Sequence, residues 1–299
     1  MTDLPGPFRT RDGLSEGLTP RALRGNTFDR SVWGVRASPS TDGVAWRDEY
    51  VRLARLYSKR MPPTACLSHI SAAILLGIPL PLGLERRPVF DFAVPAPARA
   101  PHADGIKGHS LTLASHQVIE TDGLAHTSAE RTWCDLASVL TTENLVAAGD
   151  FLIHWRNPIS SRLALFDTVR RFPGQRGLKR MMIALPRLHE RAESPPESIV
   201  RFHLVESGLP EPEVNFAIEL PGGPDARADL AYPEFRTLIE YQGDYHRTAP
   251  DQWRRDMTRR ARLESQGWFV VEINADDLRD PVELASRIRS VLTSRGWRP

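Results

Sequence analysis

Two short strand-like segments on either side of a proline constrain the fold more than any other feature of the chain. Residues 226–231 and 235–241 flank Pro233, and a proline suits a tight turn but is unfit for a central strand. This pattern predicts an antiparallel β-hairpin. Because successive side chains of a strand point to opposite faces, Glu240 and Gln242 lie on the same face of its second strand.

A second carboxylate is expected on that face. A turn centred on Pro233 places Asp229 opposite Leu238, within reach of Glu240. Two carboxylates that converge in a partly buried place repel each other, and a divalent cation is the simplest compensation. Oxygen ligands suit Mg²⁺ or Mn²⁺ better than zinc, and such an ion promotes phosphodiester hydrolysis. The alternative is that both acids are exposed and paired with arginines.

The order of motifs around the hairpin resembles a known group of nucleases. The segment IEYQGDYH at residues 239–246 is followed by D-x-x-x-x-D-x-x-R and then by L-x-x-x-G-W-x-V-V-x-I. This order resembles the domain of unknown function 559, which is similar to the very-short-patch repair endonucleases of the PD-(D/E)XK superfamily. The resemblance covers residues 193–291, and ESPPESIVRFHLVESGLPEPEVNFAI matches the usual lead-in of the group.

The resemblance implies a role for each polar residue near the hairpin. Asp229 and Glu240 would bind the metal with Glu197, an acid on the preceding helix, and His246 would transfer a proton or hold a phosphate. The chain departs from the superfamily at Gln242, where a lysine or a second acid is usual. Glutamine orients water by hydrogen bonding but cannot act as a base near neutral pH. The alternative is therefore a nuclease fold without catalysis.

An arginine-rich helix is expected after the hairpin, over residues 250–266. Apolar residues recur along it at helical spacing and predict a buried stripe: Trp253, Met257 and Ala261. Another face carries Arg255, Arg259 and Arg262. A nuclease would use these arginines to hold DNA phosphates. The alternative is a solvated face with ion pairs inside the helix, such as Arg260 with Glu264.

The beginning of the chain has the outline of a small DNA-binding module. The sequence predicts a helix from Phe8, a second short helix with Thr19 as its cap and Pro20 at its first position, and a strand pair within residues 28–37 around Gly34. This outline is that of a winged helix-turn-helix. Such outlines also serve as plain packing modules.

The same region resembles the amino-terminal domain of abortive-infection antitoxins of the AbiEi kind, in which such a domain binds DNA. LSHISAAILLGIPLP at residues 67–81 resembles the matching segment of those proteins. The resemblance implies that Arg21, Arg24 and Arg30 contact DNA phosphates or base edges. It also admits a toxin–antitoxin or defence protein as a partner.

The middle of the chain shows no pattern that indicates a site. Residues 65–76 predict an apolar helix ended by Gly77, and His69 within it is interpreted as structural because no paired acid or base follows at a telling spacing. Residues 89–95 predict a buried strand. A capping box formed by Thr127 and Glu130 is expected to open a later helix.

Composition limits the partners. With 39 basic and 37 acidic residues among 299, the net charge is +2, so contact with nucleic acid depends on local clustering. Two distant cysteines and the lack of a long apolar span predict a cytoplasmic protein without a membrane segment. The near-zero net charge also admits a protein-interaction scaffold.

The expected fold class is mixed α/β in three regions. Residues 1–40 form a winged-helix-like region, residues 41–192 a mainly helical domain with a few strands, and residues 193–299 a restriction-endonuclease-like domain with a mixed sheet flanked by helices. The predicted function is cleavage of DNA with Mg²⁺ or Mn²⁺. The principal alternative is a DNA-binding regulator or antitoxin-like protein.

Overall fold

A computed structural model describes residues 7–39, 45–87, 89–172, 176–220, 225–243 and 250–298, with side chains of the last range described from residue 257 onward. The chain divides into two compact units, Met1–Leu136 and Ala137–Pro299. Both combine helices and sheet, so the predicted mixed α/β class is confirmed. None of the helices in the described ranges is long and apolar enough to cross a membrane.

The first unit begins with a small helical pair closed by a two-stranded ribbon. Strand β1 (Phe8–Arg9) leads into α1 (Thr10–Ser15) and α2 (Pro20–Arg24), and β2 (Val35–Arg36) returns to pair antiparallel with β1. The hydroxyl of Thr19 accepts from the amide of Ala22, which confirms the predicted cap with Pro20 after it. The helix predicted from Phe8 is confirmed as α1, but it begins two residues later, because Phe8 and Arg9 pair with β2 in the ribbon.

The rest of the first unit is a six-stranded sheet with helices. Helix α3 spans Trp46–Ser58, and the sheet follows the order β5-β6-β4-β3-β8-β7. The strands are β3 (Cys66–Leu67), β4 (Phe90–Pro95), β5 (His102–Ala103), β6 (Ile106–Leu111), β7 (Val118–Thr121) and β8 (Leu124–Thr127). Three helices accompany them: α4 (His69–Leu76), α5 (Leu82–Glu85) and α6 (Ala129–Leu136).

Three local predictions for this unit can be compared with the structure. The buried strand is confirmed as β4. The apolar helix is shorter than expected, because Cys66 and Leu67 pair with β4 before the helix begins. The predicted capping box is wrong: the hydroxyl of Ser128 accepts from the amide of Arg131, while that of Thr127 bonds to another threonine hydroxyl.

The second unit joins helices to a four-stranded sheet. Its helices are α7 (Thr142–Leu152), α8 (Arg162–Arg170), α9 (Leu178–Ala184), α10 (Pro195–Glu206), α11 (Pro250–Ser265) and α12 (Pro281–Ser294). Its strands are β9 (Glu213–Ile218), β10 (Ala226–Tyr232), β11 (Thr237–Tyr241) and β12 (Phe269–Ile273), in the order β12-β11-β10-β9. Only β11 and β12 are parallel among these neighbours, so the sheet is mixed.

Helices α7 and α10 share a buried ion pair. The guanidinium of Arg201 lies 3.0 Å from the carboxylate of Asp150, and both side chains are almost fully buried. The boundary expected after residue 192 therefore falls between helices that are joined within one compact unit.

The sheet of the second unit is covered on both faces. One face packs against α10 and α12 through residues such as Leu204, Ile239 and Ile288. The other face packs against α11 through Leu238, Val270 and Leu263. Burial of apolar surface at roughly 25 cal/mol per Å² makes these two layers the main source of the unit's stability.

The hairpin is confirmed, with a different register from the expected one. Tyr232 pairs with Thr237 and Leu230 with Ile239, and the connection includes Arg236 in the left-handed region at φ 46°. Continuing this register by one residue places Asp229 opposite Glu240, not opposite Leu238. The two carboxylates are therefore direct cross-strand neighbours.

The buried stripe predicted for α11 is wrong. Met257 is 53% exposed and Ala261 is exposed, while Leu263 is buried at 1% exposure. The side chain of Trp253 lies outside the described part of the chain. The helix is anchored instead by Leu263 and by Arg259, whose guanidinium binds a carboxylate of the sheet. The buried contacts of this helix therefore come from Leu263 and the Arg259 ion pair and not from the predicted apolar stripe.

Candidate active site

Three acidic residues come from three different elements of the second unit. Glu197 lies in the first turn of α10, Asp229 on β10 and Glu240 near the end of β11. Glu197 is buried, Asp229 is half-buried, and the Glu240 side chain is 12% exposed. Burial of several carboxylates in one region is costly unless protons, donors or cations compensate their charge.

Glu197 is held by the beginning of its own helix. The hydroxyl of Ser194 caps α10 by accepting from the Glu197 amide and donates to Glu197 Oε1 at 2.7 Å. The amide of Glu193 donates to Glu197 Oε2 at 3.0 Å. Burial, and then the negative charge of Asp229, raises the pKa of Glu197 to about 7. The carboxyl is thus fixed in orientation and takes up a proton far more readily than an exposed glutamate.

Asp229 is fixed by the neighbouring strand. The amide of Tyr241 donates to Asp229 Oδ2 at 2.8 Å. Burial raises the pKa of Asp229, and the charge of Glu240 raises it further, whereas the Tyr241 amide and the Arg259 guanidinium oppose the rise. The carboxylate therefore has a defined position and a surplus of negative charge around it.

Asn215 shapes the backbone across from Asp229. It lies between the pairs Ala228 with Phe216 and Leu230 with Val214, and it adopts a left-handed conformation at φ 56°. Left-handed backbone is uncommon outside glycine, although asparagine tolerates it better than most residues. The strand pair is thus distorted beside the carboxylates, as sheets often are next to functional sites.

Sequence reasoning missed a fourth acid near this group. The amide nitrogen Nδ2 of Asn215 donates to Glu193 Oε1 at 2.7 Å, and Arg156 lies 3.4 Å from the same oxygen. The charge of Glu193 contributes to the raised pKa of both Glu197 and Asp229. Its position immediately before the Ser194 cap of α10, close in sequence to Glu197, was the available signal.

The carboxylate of Glu240 is already paired with an arginine guanidinium. Arg259 on α11 donates to both carboxylate oxygens, at 2.7 and 2.9 Å, and also donates to the carbonyl of Arg227. This bidentate arrangement is among the stronger forms of ion pair in proteins. The predicted alternative, in which a hairpin acid pairs with an arginine, therefore describes Glu240 in this structure. The pairing also places a positive charge next to Asp229.

The other predicted site residues lie in different surroundings. Gln242 is exposed just beyond β11, and its backbone N–H donates to the carbonyl of Ile273 at 2.7 Å. Arg262 is half-exposed on α11. His246 and the side chain of Arg255 lie outside the described residues. Arg21 and Arg24 are exposed on α2 of the first unit.

The ligating atoms of the three acids lie farther apart than those of a second cluster, in the first unit. Within the described part of the chain, three metal-ligating atoms of His, Cys, Asp or Glu lie within 4.8 Å of one another only at His69, Asp91 and His109. Glu197, Asp229 and Glu240 converge more loosely than that. A cation shared by all three carboxylates would draw them closer together.

The histidine cluster is a hydrogen-bonded network in the first unit. His109 Nε2 lies 2.8 Å from Asp91 Oδ1, and Arg87 binds the other oxygen of Asp91. The rings of His69 and His109 stack in nearly parallel planes with centroids 3.9 Å apart. Stacked rings direct their nitrogens side by side, and Asp91 already has two partners. This geometry suits a polar core better than a metal centre.

Sequence reasoning did not find the partners of His69. Asp91 lies on β4 and His109 on β6, so the partners come 22 and 40 residues later in the chain. Their proximity arises from the parallel pairing of β4 with β6, which no local spacing records.

Comparison with known proteins gives no activity. No protein-family model matches the chain. The chain is 37% identical over 129 residues to the uncharacterized protein Rv2248 of Mycobacterium tuberculosis strain H37Rv, and equally to the uncharacterized protein MT2308 of strain CDC 1551. The match covers 43% of this chain and 48% of each relative, so the chain spans about half the length of the curated relatives it matches.

One solved structure was also found to be similar. The crystal structure of the RV2827C protein from Mycobacterium tuberculosis aligns with a TM-score of 0.42 at 16% identity, over 73% of this chain and 85% of that one. The resemblances to nucleases and antitoxins stay predictions.

Proposed function

We propose that the second unit cleaves DNA by hydrolysing phosphodiester bonds with a divalent cation, Mg²⁺ or Mn²⁺. The observation that carries the proposal is the grouping of Glu197, Asp229 and Glu240, which come from one helix and two strands. Burial and a neighbouring carboxylate raise the pKa of both Glu197 and Asp229. Structural carboxylates are usually stabilised by their surroundings. Carboxylates held in a repulsive arrangement are a feature of functional sites.

The residues present fit a hard divalent cation. All three candidate ligands are carboxylates, and oxygen ligands are those that Mg²⁺ and Mn²⁺ prefer. Burial and the charge of Asp229 raise the pKa of Glu197, and a cation would relieve that repulsion. Asp229 and Glu240 would hold the ion with help from Glu197. When bound, it would lower the pKa of a water molecule and offset charge that develops on the phosphate.

The chain's own residues would position the reactants. Tyr241 and Ser194 fix the carboxylates of Asp229 and Glu197 through the hydrogen bonds described above. The side-chain amide of Gln242, just beyond the end of β11, would orient the attacking water without taking its proton. His246 is proposed as the residue that transfers a proton or holds a phosphate.

Helix α11 would hold the DNA backbone. Arg259 is half-exposed, and Arg262 lies three residues further along the helix. These two arginines, together with Arg255, are proposed to bind phosphates, and each such contact makes the affinity depend on salt. Arg259 would exchange part of its contact with Glu240 for a phosphate when DNA and the cation bind. Cleavage of cellular DNA would take place in the cytoplasm, which is the location proposed for the protein.

A cleavage assay with matched variants tests the proposal. Supercoiled plasmid and branched DNA are incubated with Mg²⁺ or Mn²⁺, and products are separated by gel electrophoresis. We expect cation-dependent nicking that Glu240→Ala lowers at least about 100-fold, as expected for loss of charge stabilisation at a reacting centre. Glu272→Gln is the control, because Glu272 pairs in register with Glu240 on β12 but is exposed. Equal nicking by Glu240→Ala and the natural chain would contradict the proposal.

A second candidate function is DNA binding without catalysis. The bidentate pair between Arg259 and Glu240 favours it, since the guanidinium already compensates a proposed metal ligand. Gln242 favours it as well, because the superfamily resembled by the chain usually has a lysine or an acid there. In this case the chain would act as a regulator or antitoxin-like protein, with a toxin or defence protein as partner.

One variant separates the two candidates. Gln242→Lys supplies the charge that the resemblance leads one to expect. Nicking by the Gln242→Lys variant alone, with none from the natural chain, would support binding without catalysis. Nicking by the natural chain that is lost in Glu240→Ala would support the nuclease.

A further inference from the structure

The first unit presents a tryptophan that is unusually open to solvent. The Trp33 side chain is 81% exposed, the highest value among the exposed large hydrophobic residues of the described chain. Its neighbours Val32 and Val35 are 2% and 1% exposed and pack with Leu56. A single exposed apolar side chain is common in proteins, so the surroundings of Trp33 matter more than its exposure. The indole is therefore displayed on a turn whose own ends are anchored in the core.

Backbone hydrogen bonds hold this turn in place. The amide of Thr10 donates to the carbonyl of Gly34 at 2.9 Å, and the amide of Val35 donates to that of Val32 at 3.1 Å. Gly34 adopts φ 76°, a conformation that favours glycine. A fixed turn displays the indole in one orientation, so little conformational freedom is lost when a ligand stacks on it.

Trp33 lies at the edge of a concavity of about 780 Å³ whose other side chains are mostly arginines. Its described lining contains five of them and no acidic residue: Arg9, Arg11, Arg30, Arg36 and Arg60. This volume falls within the range of about 300–1,000 Å³ typical of ligand sites. Arg11 has an exposed acidic partner, Asp12, at 3.4 Å. The pocket is therefore a local concentration of positive charge in a chain with net charge +2.

The arginines divide into those that build the pocket and those that face it. Arg9 donates to the carbonyls of Lys59 and Met61, and Arg36 donates to that of Leu23. Arg60 lies over the Trp33 ring with its guanidinium carbon 5.4 Å from the ring centroid. Such stacking orients a guanidinium while leaving its edge open to an anion.

The charges in the pocket crowd one another. Burial, and then the neighbouring charge of Arg30, lowers the pKa of Arg36. Arg30 itself donates to the carbonyl of Arg24 at 2.8 Å. Several like charges held close together gain when a polyanion binds and releases its counterions. A single phosphate would meet only some of these arginines, so the pocket fits a polymer with repeated phosphates.

We infer that this pocket binds single-stranded nucleic acid, with an unpaired base stacked on Trp33 and the backbone phosphates held by the surrounding arginines. Base stacking on aromatic side chains combined with a positively charged groove is the usual way to bind single strands. In a duplex the base faces are covered by their neighbours, so an open indole offers little to paired DNA. The inference does not depend on the proposed nuclease, because every residue involved lies in the first unit.

This site shares Arg30 with the DNA contact predicted by resemblance but makes a different kind of contact. Arg21 and Arg24 on α2 would place that helix in the major groove of duplex DNA. The Trp33 pocket instead requires an accessible base. Preference between single and double strands therefore distinguishes the two.

The test measures binding of the full chain to fluorescently labelled oligo(dT) of about 12 nucleotides, a length within the site sizes of single-strand-binding folds. Fluorescence anisotropy is recorded with EDTA present, so that cleavage plays no part, and a duplex of the same length is the second probe. We expect tighter binding of the single strand. Trp33→Ala should weaken it about 5- to 100-fold, the range for loss of one stacked base.

Matched variants guard against a change in folding. Trp33→Phe keeps an aromatic face and should retain most of the affinity. Trp155→Ala is the control, because Trp155 is also exposed, at 45%, beside an arginine 4.7 Å away, but belongs to the second unit. Arg60→Gln should lower the salt dependence of binding by about one phosphate contact. Equal affinity of Trp33→Ala and the natural chain for the single strand would overturn the inference. So would an equal weakening of duplex binding by Trp33→Ala, because the second unit can hold a duplex independently of Trp33.

Discussion

At the scale of single residues, the chain contains buried charges that are compensated in different ways. Arg201 and Asp150 pair directly in the second unit, as do Arg131 and Asp135 in the first. Glu197 is instead held by hydroxyl and amide donors while Asp229 repels it. Buried pairs are explained by folding alone, whereas an acid kept beside another acid is a candidate for chemistry.

The buried His69 is expected to make the folded protein less stable in acid. Burial, and then the charge of His109, lowers the pKa of His69 to about 3 from 6.5. The unfolded chain therefore takes up a proton from pH 6.5 downward while the folded chain does not, and stability falls as the pH drops from 6.5 towards 3. At pH 5 this contribution amounts to about 2 kcal/mol.

We expect His69→Asn to remove that part of the pH dependence, since asparagine tolerates the left-handed backbone at this position (φ 47°). Urea denaturation at pH 7.5 and pH 5 compares the variant with the natural chain. His102→Gln, at an exposed position, is the control. The same loss of stability on acidification in His69→Asn as in the natural chain would show that His69 is not the group responsible.

Arg259 should stabilise the fold by compensating the carboxylates. Arg259→Met leaves Glu240, whose side chain is 12% exposed, beside Asp229 without its bidentate partner. We expect a loss of about 1–3 kcal/mol in the free energy of unfolding, the usual cost of leaving a buried group unpaired. Millimolar Mg²⁺ should restore part of that loss if a cation takes the place of the guanidinium.

Arg260→Met is the matched control on the same helix. Arg260 pairs with Glu264 and Glu272, all more than 40% exposed, and exposed pairs contribute about 0–1 kcal/mol. Denaturant midpoints in EDTA and in Mg²⁺ are compared for both variants. Similar losses for the two arginines, with no response to Mg²⁺, would mean that the Arg259 pair is an ordinary surface contact.

At the scale of elements, the beginning of α10 links stability to the site. Ser194 both caps the helix and donates to the carboxylate of Glu197. Asp280 caps α12 by accepting from the amide of Glu283 but has no such contact with the acidic group. Comparing variants of the two caps therefore separates the effect of losing a helix cap from the effect of losing the hydrogen bond to Glu197.

We expect Ser194→Ala and Asp280→Ala each to lower stability by about 1 kcal/mol, the typical value for a lost helix cap. Only Ser194→Ala should also weaken binding of the cation, by about 10-fold, because residues that orient a ligand contribute to metal affinity. Thermal denaturation and cation titration measure the two effects. A fall in cation affinity in both variants would trace it to general loosening of the fold.

Local rules predicted several elements correctly. The Thr19 cap before Pro20, the hairpin around Pro233 and the buried strand at residues 90–95 follow from turn chemistry and apolar runs. The hairpin register was wrong by two residues, because the connection contains Arg236 in a left-handed conformation that no side-chain pattern signals. That error still left Asp229 and Glu240 on one face, since strands alternate with a period of two.

Long-range pairing accounts for what the sequence did not reveal. Strand β3 is two residues long and is specified by its partners in β4 and β8. The Asp91 and His109 partners of His69 come together in the same way, through sheet pairing. On α11, apolar spacing predicted the wrong buried face, because the contacts with the sheet are made by Leu263 and by the Arg259 pair with Glu240. Pairing of a hairpin acid with an arginine was predicted as an alternative, but Arg259 was not identified as the partner of Glu240, because it lies on another element.

At the scale of the whole molecule, the two proposed contacts with nucleic acid lie in regions rich in arginine. One is the arginine pocket around Trp33 in the first unit, and the other is helix α11 beside the carboxylates of the second. A chain with net charge +2 attracts nucleic acid through such local patches rather than through a general field. Variants in one patch should therefore leave the other's binding unchanged, and the two proposals succeed or fail separately.

The most direct measurement is titration of the full chain with Mg²⁺ and Mn²⁺ by isothermal calorimetry, with Asp229→Asn and Glu272→Gln beside the natural protein. Asp229 interacts electrostatically with both other proposed ligands, and Glu272 is an exposed acid on the neighbouring strand. We predict saturable binding that Asp229→Asn weakens at least about 10-fold and Glu272→Gln leaves unchanged. No saturable binding, or equal affinity in Asp229→Asn, would contradict a cation site at these carboxylates.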